Sequence, residues 1–252
     1  KHRSQRHSQL TMNRTKIEWC DYTWNPITGC ERLCDFDKDG KPDCYAVKQA
    51  IRFGRSFKPT FHPDRLDEIL KLKAPTERDN QMRKPWIAKA YPENWLIFPC
   101  SIADIFAPWT KAEWRLEVLA KMESCPTKHI FQLLTHSPEN LIGYRQNPDN
   151  FWIGISIHSQ SDVEKVGYLR DVEAGVRFIS IEPMLEQIDL NDVVDAVDWV
   201  IVGQLTKAKR WPIQPRWIEA LLNFARGYNI PLFIKDNVGW SKKIQEFPVS
   251  QN

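Results

Sequence analysis

Two hydrophobic rhythms alternate along the chain. Short, nearly continuous apolar runs occupy residues 95–100 (WLIFPC), 129–135 (HIFQLLT), 151–157 (FWIGISI), 176–182 (VRFISIE), 199–204 (WVIVGQ) and 231–235 (PLFIK). Runs of that length without a polar position at every second residue are the pattern of strands buried on both faces. Helical patterns predicted over 111–124, 137–144, 159–172 and 214–228 separate them. Ser137 followed by Pro138 and Glu139 places an N-cap before a proline at the first helical position, and Ser159 and Asp162 are further helix-start residues. A short strand near 21–23 opens the series, and the charged, proline-containing stretch 57–84 reads as a helix plus loop inserted after the first unit.

Strand then helix, repeated, implies parallel strands joined by right-handed crossovers. About seven strands fit a full barrel, a partial barrel or a doubly wound sheet, and in all three ligands bind at the carboxyl ends of the strands. Those ends carry Ser101 and Asp104, Thr135 and His136, Ser156 and His158, Ser180 and Glu182, Gln204, and Lys235 with Asp236 and Asn237. Lys235 and Asp236 are expected either as an ion pair at the mouth or as a substrate contact. Strands also end where polar loops begin, so the convergence on one edge, not any single residue, marks the expected site.

Charge removes one easy inference. Thirty-five basic and thirty-two acidic side chains give +3, and Lys1, Arg3 and Arg6 in the acid-free segment 1–11 account for all of it. Residues 12–252 are neutral, so bulk charge gives no argument for a polyanionic partner. Residues 1–15 are expected to be a disordered arm or tag remnant, with Met12 a natural start; 16–240 a single domain; and 241–252 a C-terminal tail. No run approaches the about 18–20 apolar residues of a membrane span, so no membrane partner is expected. The eleven tryptophans read as core payload. Six cysteines are too few for a disulfide scaffold, and their clustering favours metal binding or catalysis in a reducing cytoplasm.

Three of them, Cys30, Cys34 and Cys44, follow Pro26 and Gly29, which punctuate the chain as a loop. Three thiolates can hold three irons of a cubane and leave the fourth open to a small-molecule ligand. Cys20 adds a competing reading, a structural zinc held by Cys20, Cys30, Cys34 and Cys44. Against it, the gap from Cys20 to Cys30 is no paired knuckle, and a small buried residue fits the expected first strand without metal. Asp35, Asp37, Asp39 and Gly40 imitate the start of a calcium loop, but Ala46 stands at the twelfth position where a bidentate glutamate belongs; the stretch reads as a solvated acidic turn. Cys100 and Cys125 read as core or edge residues.

Longer matches surround the cysteines. Lys16-Ile17-Glu18-Trp19, Thr23-Trp24-Asn25-Pro26, Gly29-Cys30 and Cys44-Tyr45-Ala46 resemble a phage-associated family of three-cysteine proteins of uncharacterised function. The segments 131–135 (FQLLT), 152–156 (WIGIS), 177–183 (RFISIEP) and 198–203 (DWVIVG) continue the resemblance over about residues 16–240. That family in turn is similar to the radical S-adenosylmethionine (SAM) superfamily. The resemblance implies an α/β fold, a partial (β/α)6 TIM-like barrel of parallel strands with an N-terminal cysteine loop. It implies a [4Fe-4S] cluster on Cys30, Cys34 and Cys44 and reductive cleavage of S-adenosylmethionine to a 5′-deoxyadenosyl radical that abstracts hydrogen from a substrate. Ser101 would then meet the methionine end of the cofactor, Ser156 the ribose, and Glu182 the ribose or amino group. A reductant such as a flavodoxin or ferredoxin would supply the electron. Spore photoproduct lyase, a better-known member of the superfamily, has a similar Cys-Tyr ending, which makes a nucleic-acid base or lesion an attractive substrate.

The chain departs from the superfamily pattern in three places. Its cysteines are spaced C-x3-C-x9-C where C-x3-C-x2-C is usual. Asp43 precedes the last cysteine where an aromatic is usual, and Tyr45 follows it. Gly203-Gln204-Leu205-Thr206-Lys207 stands where the family has Gly-Gly-Glu-Ser-Gly. The alternative function is a non-catalytic zinc-stabilised or iron–sulfur binding module on the same barrel.

Overall fold

Each apolar run becomes a strand, and their order in the sheet follows their order in the chain. The structure, a computed structural model, describes residues 12–32, 34–36, 42–144, 147–205 and 212–248. The arm over 1–11, Asp37, Asp39 and Gly40 of the acidic turn, and Thr206 and Lys207 lie outside the described residues. From the N-terminus the elements are β1 (Asn13–Arg14), β2 (Tyr22–Trp24), β3 (Ile27–Thr28), α1 (Tyr45–Arg52), β4 (Thr60–Phe61), a 3-10 helix at Pro63–Lys71, α2 (Glu77–Met82) and α3 (Pro85–Ala90). There follow β5 (Leu96–Pro99), α4 (Ala112–Glu123), β6 (Ile130–Thr135), β7 (Phe151–Ile157), β8 (Val176–Ile181), β9 (Trp199–Val202), α5 (Pro215–Gly227) and β10 (Leu232–Ile234).

One sheet of eight strands runs β1-β2-β5-β6-β7-β8-β9-β10. β1 is antiparallel to β2, and every later pairing is parallel. The order never reverses, so the sheet lacks the switch point that defines a doubly wound fold. β3 and β4 form a separate two-stranded ribbon beside it.

The helices expected over 137–144 and 159–172 are 3-10 helices, Pro138–Gly143 and Gln160–Asp171. The reason lies in their spacing: Val163, Val166, Leu169 and Val172 are all buried, three residues apart, which suits three residues per turn and not 3.6. The caps expected there do not form, since neither Ser137 nor Ser159 makes a side-chain capping bond. Asp162 instead accepts the His158 backbone N–H at 3.0 Å. The inserted stretch 57–84 holds β4, a 3-10 helix and α2 where one helix plus loop was expected.

Alternation along each strand divides the sheet into two faces. Ile97, Leu133, Ile155, Ile179 and Val200 pack against Val118 and Met122 of α4 and Leu221 of α5 in the larger core. The opposite face gathers Leu96, Ile130, Trp152, Phe178, Trp199 and Phe233 around Trp19, Tyr91 and Phe247. Trp19, Trp24, Trp95, Trp152 and Trp199 are all buried, the core role expected for the tryptophans. Trp19 packs on Phe98 at 4.9 Å between ring centres, and Trp199 on Phe247 at 5.1 Å. The chain ahead of β2 therefore lies across this face and fills it.

A sealed ion pair fixes the insertion to the sheet. Arg83 reaches Asp21 through Nε at 3.1 Å and Nη2 at 2.6 Å. Its guanidinium also donates to the carbonyls of Tyr91 and Asn94, at 3.0 and 2.9 Å. Planar, forked donors suit such a convergence of acceptors.

Candidate metal centre and strand-end pocket

The chain leaves β2 and is turned at once by the ribbon, where Ile27 pairs with Phe61 and Thr28 with Thr60. Gly29 then takes φ +87°, and a Cβ there would lie 2.2 Å from the Lys58 carbonyl oxygen, so only glycine fits. Its N–H donates to Ile102 at 3.1 Å and the Cys30 N–H to Phe57 at 3.1 Å, which sets Cys30 on a fixed base. Beyond it the Cys34 carbonyl accepts the N–H groups of Asp43 at 2.7 Å and Cys44 at 3.3 Å. The Asp43 carboxylate closes the same turn by accepting the Phe36 N–H at 3.1 Å. The two ends of the nine-residue gap are thus clasped together, and Cys44 opens α1 directly beside Cys34.

Cys30, Cys34 and Cys44 are free and half-buried. Burial raises the Cys30 thiol, with Asp104 and Cys44 adding to the shift. Burial, followed by Cys44 and Cys30, pushes Cys34 up to about 11. The thiols sense one another's charge, so a metal that binds them must expel their protons. Among the described residues, no three His, Cys, Asp or Glu side chains are drawn around one point in the way a single metal ion would need. The donor chemistry, three adjacent soft thiols on one clasped loop, fits an iron–sulfur cluster, in which each thiolate takes a different iron.

Cys20 stands apart from them. It is fully buried on the Trp19 face, its thiol is raised by burial, and the charges acting on it are those of Lys84, Asp21, Lys235 and Glu182. The four-thiolate zinc site therefore has no fourth ligand at this residue. Cys100 is likewise buried, and Cys125 is half-buried with its Sγ 3.6 Å from the Ile69 carbonyl oxygen.

At the carboxyl ends of the strands, the Ser101 hydroxyl donates to Asn25 Oδ1 at 3.2 Å, and its carbonyl accepts the Tyr45 hydroxyl at 2.9 Å. Ser101 is thereby tied to both sides of the cysteine loop. Ser156 is buried on β7, in register with Ser180 of β8. Ser180 donates to Glu182 Oε1 at 3.4 Å, as does the Trp19 indole at 3.1 Å. Glu182 Oε2 meets Lys235 Nζ at 2.5 Å. Burial opposes the charge on Lys235, and the Glu182 carboxylate more than offsets it, so the ammonium pKa is raised. A Cβ on Gly203 would lie 3.0 Å from both Glu182 Cγ and Lys235 Cδ, so the pair rests against a bare backbone. The expected Lys235–Asp236 pair does not form: Asp236 faces Lys243 at 3.3 Å, and its N–H donates to Glu18 at 2.9 Å.

Between the cysteines and this pair stand two histidines that the sequence placed at strand ends without assigning them a role. The Arg32 guanidinium donates to the His136 carbonyl at 3.2 Å, and the Phe36 ring meets His158 edge-on at 4.9 Å. The two imidazoles lie 5.3 Å apart. Burial lowers both pKa values, His136 to about 3; His158 and Arg32 add to the fall at His136, and Arg32 and Lys165 to that at His158. His158 Nδ1 lies 3.2 Å from the Pro183 carbonyl, which can only accept, so the proton sits on Nδ1 and the buried Nε2 is a bare acceptor. Asp104 anchors the layer below, accepting from Thr135 Oγ1 at 2.8 Å and the His136 N–H at 2.9 Å. A cleft at the amino ends of the strands, lined by Asn150, Glu173, Arg177 and Glu246 among others, includes none of the loop cysteines, the two histidines or the Glu182–Lys235 pair.

The chain is a sequentially wound parallel α/β sheet with a cysteine loop after its first parallel strand, and its fold is like that of spore photoproduct lyase. A cysteine-to-alanine variant of that lyase with dinucleoside spore photoproduct superposes with a TM-score of 0.52 at 15% identity, over 84% of this chain and 63% of the lyase. A tyrosine-to-phenylalanine variant gives 0.51 at 13%, and the lyase complexed with dinucleoside spore photoproduct gives 0.50 at 14%, each over 84% of this chain and 64% of the other. The chain spans just under two thirds of the length of those structures, and at such identities the likeness is one of fold. The chain belongs to the family described as "Protein of unknown function (DUF5131)", whose model matches residues 14–250. No curated protein matches the sequence.

Proposed function

We propose that the protein is a radical SAM enzyme whose [4Fe-4S] cluster is held by Cys30, Cys34 and Cys44. The observation that carries this reading is the clasp from Cys34 to Cys44, which brings two of the three cysteines together on the loop that follows the first parallel strand of a sequentially wound sheet. When bound, the cluster and S-adenosylmethionine would supply a 5′-deoxyadenosyl radical able to take hydrogen from a substrate. The chain's own part is positioning. Ser101, linked to Tyr45 beside Cys44, holds the methionine end; Ser156 meets the ribose; Glu182, fixed by Trp19 and Lys235, receives the ribose or amino group. Trp19 and Phe98 pack together on the same face of the sheet as these groups.

A flavodoxin- or ferredoxin-type reductant delivers the electron. The likeness in fold to a lyase solved with dinucleoside spore photoproduct supports a nucleic-acid base or lesion as substrate. Six free cysteines fit a reducing, cytoplasmic setting. No helix of the described residues is long and apolar enough to cross a membrane.

Anaerobic reconstitution with iron and sulfide, followed by dithionite and S-adenosylmethionine, tests the proposal. About four irons per chain and release of 5′-deoxyadenosine are expected, with iron lost in each of Cys30→Ala, Cys34→Ala and Cys44→Ala and kept in Cys20→Ala. A colourless protein holding one zinc, or iron lost in Cys20→Ala but kept in Cys44→Ala, overturns it.

A further inference from the structure

The neutrality of residues 12–252 hides a polarised molecule. Residues 44–63 contain Lys48, Arg52, Arg55 and Lys58 and no acidic residue, so an equal excess of negative charge lies elsewhere. All four side chains are exposed. Lys48 has Asp43 at 3.6 Å, whereas no carboxylate among the described residues pairs with Arg52, Arg55 or Lys58. Aromatic rings stand among these cations: Tyr45 and Phe53 are each more than half exposed, and the guanidinium groups of Arg52 and Arg55 lie 5.7 and 5.3 Å from the Phe53 ring centre.

The strip is bound to the cysteine site at both ends. It begins at Cys44, and near its end the Phe57 carbonyl accepts the Cys30 N–H. Tyr45 donates to the Ser101 carbonyl at the strand-end pocket. A partner lying along the strip therefore arrives beside the three thiols.

Like charges crowded on one segment repel one another, and a polyanion that releases its counterions relieves that repulsion. Exposed rings among the cations offer flat faces on which bases stack, the combination used for single strands. An anionic membrane shares the charge requirement but also needs a continuous apolar face to insert; Ala46, Val47 and Ala50 of α1 are buried against the protein, which leaves Ile51 as the single exposed aliphatic side chain of the helix. We propose that residues 45–58 bind a single nucleic-acid strand, with phosphates on Arg52, Arg55 and Lys58 and bases on Tyr45 and Phe53. The strip then presents a nucleobase to the strand-end pocket, a step that rests on the enzyme reading above, whereas binding itself does not.

Fluorescence anisotropy of the full chain with a labelled oligodeoxythymidine tests it. Three phosphate contacts predict that log Kd rises with log salt with a slope of about 2. Arg52→Glu/Arg55→Glu/Lys58→Glu, checked for native circular dichroism, should bind at least about tenfold more weakly, and Arg52→Gln/Arg55→Gln/Lys58→Gln should weaken in the same direction. Phe53→Ala should lose about fivefold or more. The Cys30→Ala/Cys34→Ala/Cys44→Ala protein should retain binding, which supports the surface whatever the fate of the cluster. A wild-type protein that releases 5′-deoxyadenosine yet binds the oligonucleotide no more tightly than the charge-reversed variant overturns the surface and leaves the enzyme reading standing. So does charge-dependent binding to phosphatidylserine-containing vesicles without binding to the oligonucleotide.

Discussion

Cys34 and Cys44 are joined through the backbone: the carbonyl of the first accepts the N–H of the second at 3.3 Å and that of its neighbour Asp43 at 2.7 Å. Spacing in space is thereby uncoupled from spacing in sequence. The two ends of the gap meet at the Cys34 carbonyl, so a nine-residue interval presents its two cysteines side by side.

The clasp depends on Asp43, whose buried carboxylate accepts the Phe36 N–H and faces Lys48. Asp43→Ala should cost about 1–2 kcal/mol of stability, the loss expected when a buried donor is left without its acceptor. It should also lower the iron retained after reconstitution, although no ligand is removed. Asp43→Asn keeps an acceptor oxygen and should restore most of both. Urea unfolding and iron content check this, and unchanged iron in Asp43→Ala would show that the clasp does not hold the ligands in place.

The Glu182–Lys235 pair is mostly enclosed and sits against Gly203. Lys235→Met leaves a carboxylate without its cation and should cost about 3 kcal/mol. In Glu182→Gln/Lys235→Met no charge is stranded, and more than half of that loss should return. The non-additivity is measurable as a double-mutant cycle in urea. Additive losses would mean that the two side chains do not act as a pair.

Acid should loosen the histidine layer. The folded-state pKa of His136 is about 3, below the ordinary 6.5, so between those values the folded chain binds fewer protons than the unfolded one. Stability from this residue is therefore lost as pH falls from about 6.5 toward 3. Asp104, whose pKa burial raises, acts with the opposite sign, so the whole-protein slope does not isolate the histidine. The difference between wild type and His136→Asn does. Melting temperatures from pH 7 to about pH 4 should fall more steeply in wild type than in the variant, and parallel curves would refute the assignment.

The strands were legible because runs such as 151–157 are apolar at every position but Ser156, and that one becomes β7 without a residue's change in its bounds. The 3-10 helices were misread because Val163, Val166 and Leu169 satisfy a helical pattern at i, i+3 as well as a threefold one. Only the missing fourth-residue partners separate the two. The cysteines were visible from spacing and neighbours, and the strand-end residues from topology. Contacts between distant segments were not: nothing local shows that Trp19 will donate to Glu182, or that Glu182 will choose Lys235 in place of leaving it to Asp236. The basic strip was obscured by summing charge over the whole chain, when a window of 44–63 would have revealed it.

Arg83 and Asp21 offer a way to separate stability from the metal site. Their contact is sealed, with side-chain exposures of 1% and 4%, and Arg83 also stacks 4.6 Å from the Trp95 ring centre. Asp21 precedes β2 and also accepts the Leu96 N–H at 3.0 Å, at the end of the strands remote from the cysteine loop. Arg83→Met buries the Asp21 charge without a counterion and removes a donor from the carbonyls of Tyr91 and Asn94, so a loss of about 3–5 kcal/mol is expected. Asp21→Asn in the same chain removes the stranded charge and should recover part of it. Because the loop of Cys30, Cys34 and Cys44 is built from other contacts, the protein that remains folded should bind as much iron per chain as wild type. Urea unfolding beside iron content per folded protein gives both readings, and a parallel fall in the two would place the insertion among the supports of the cysteine site.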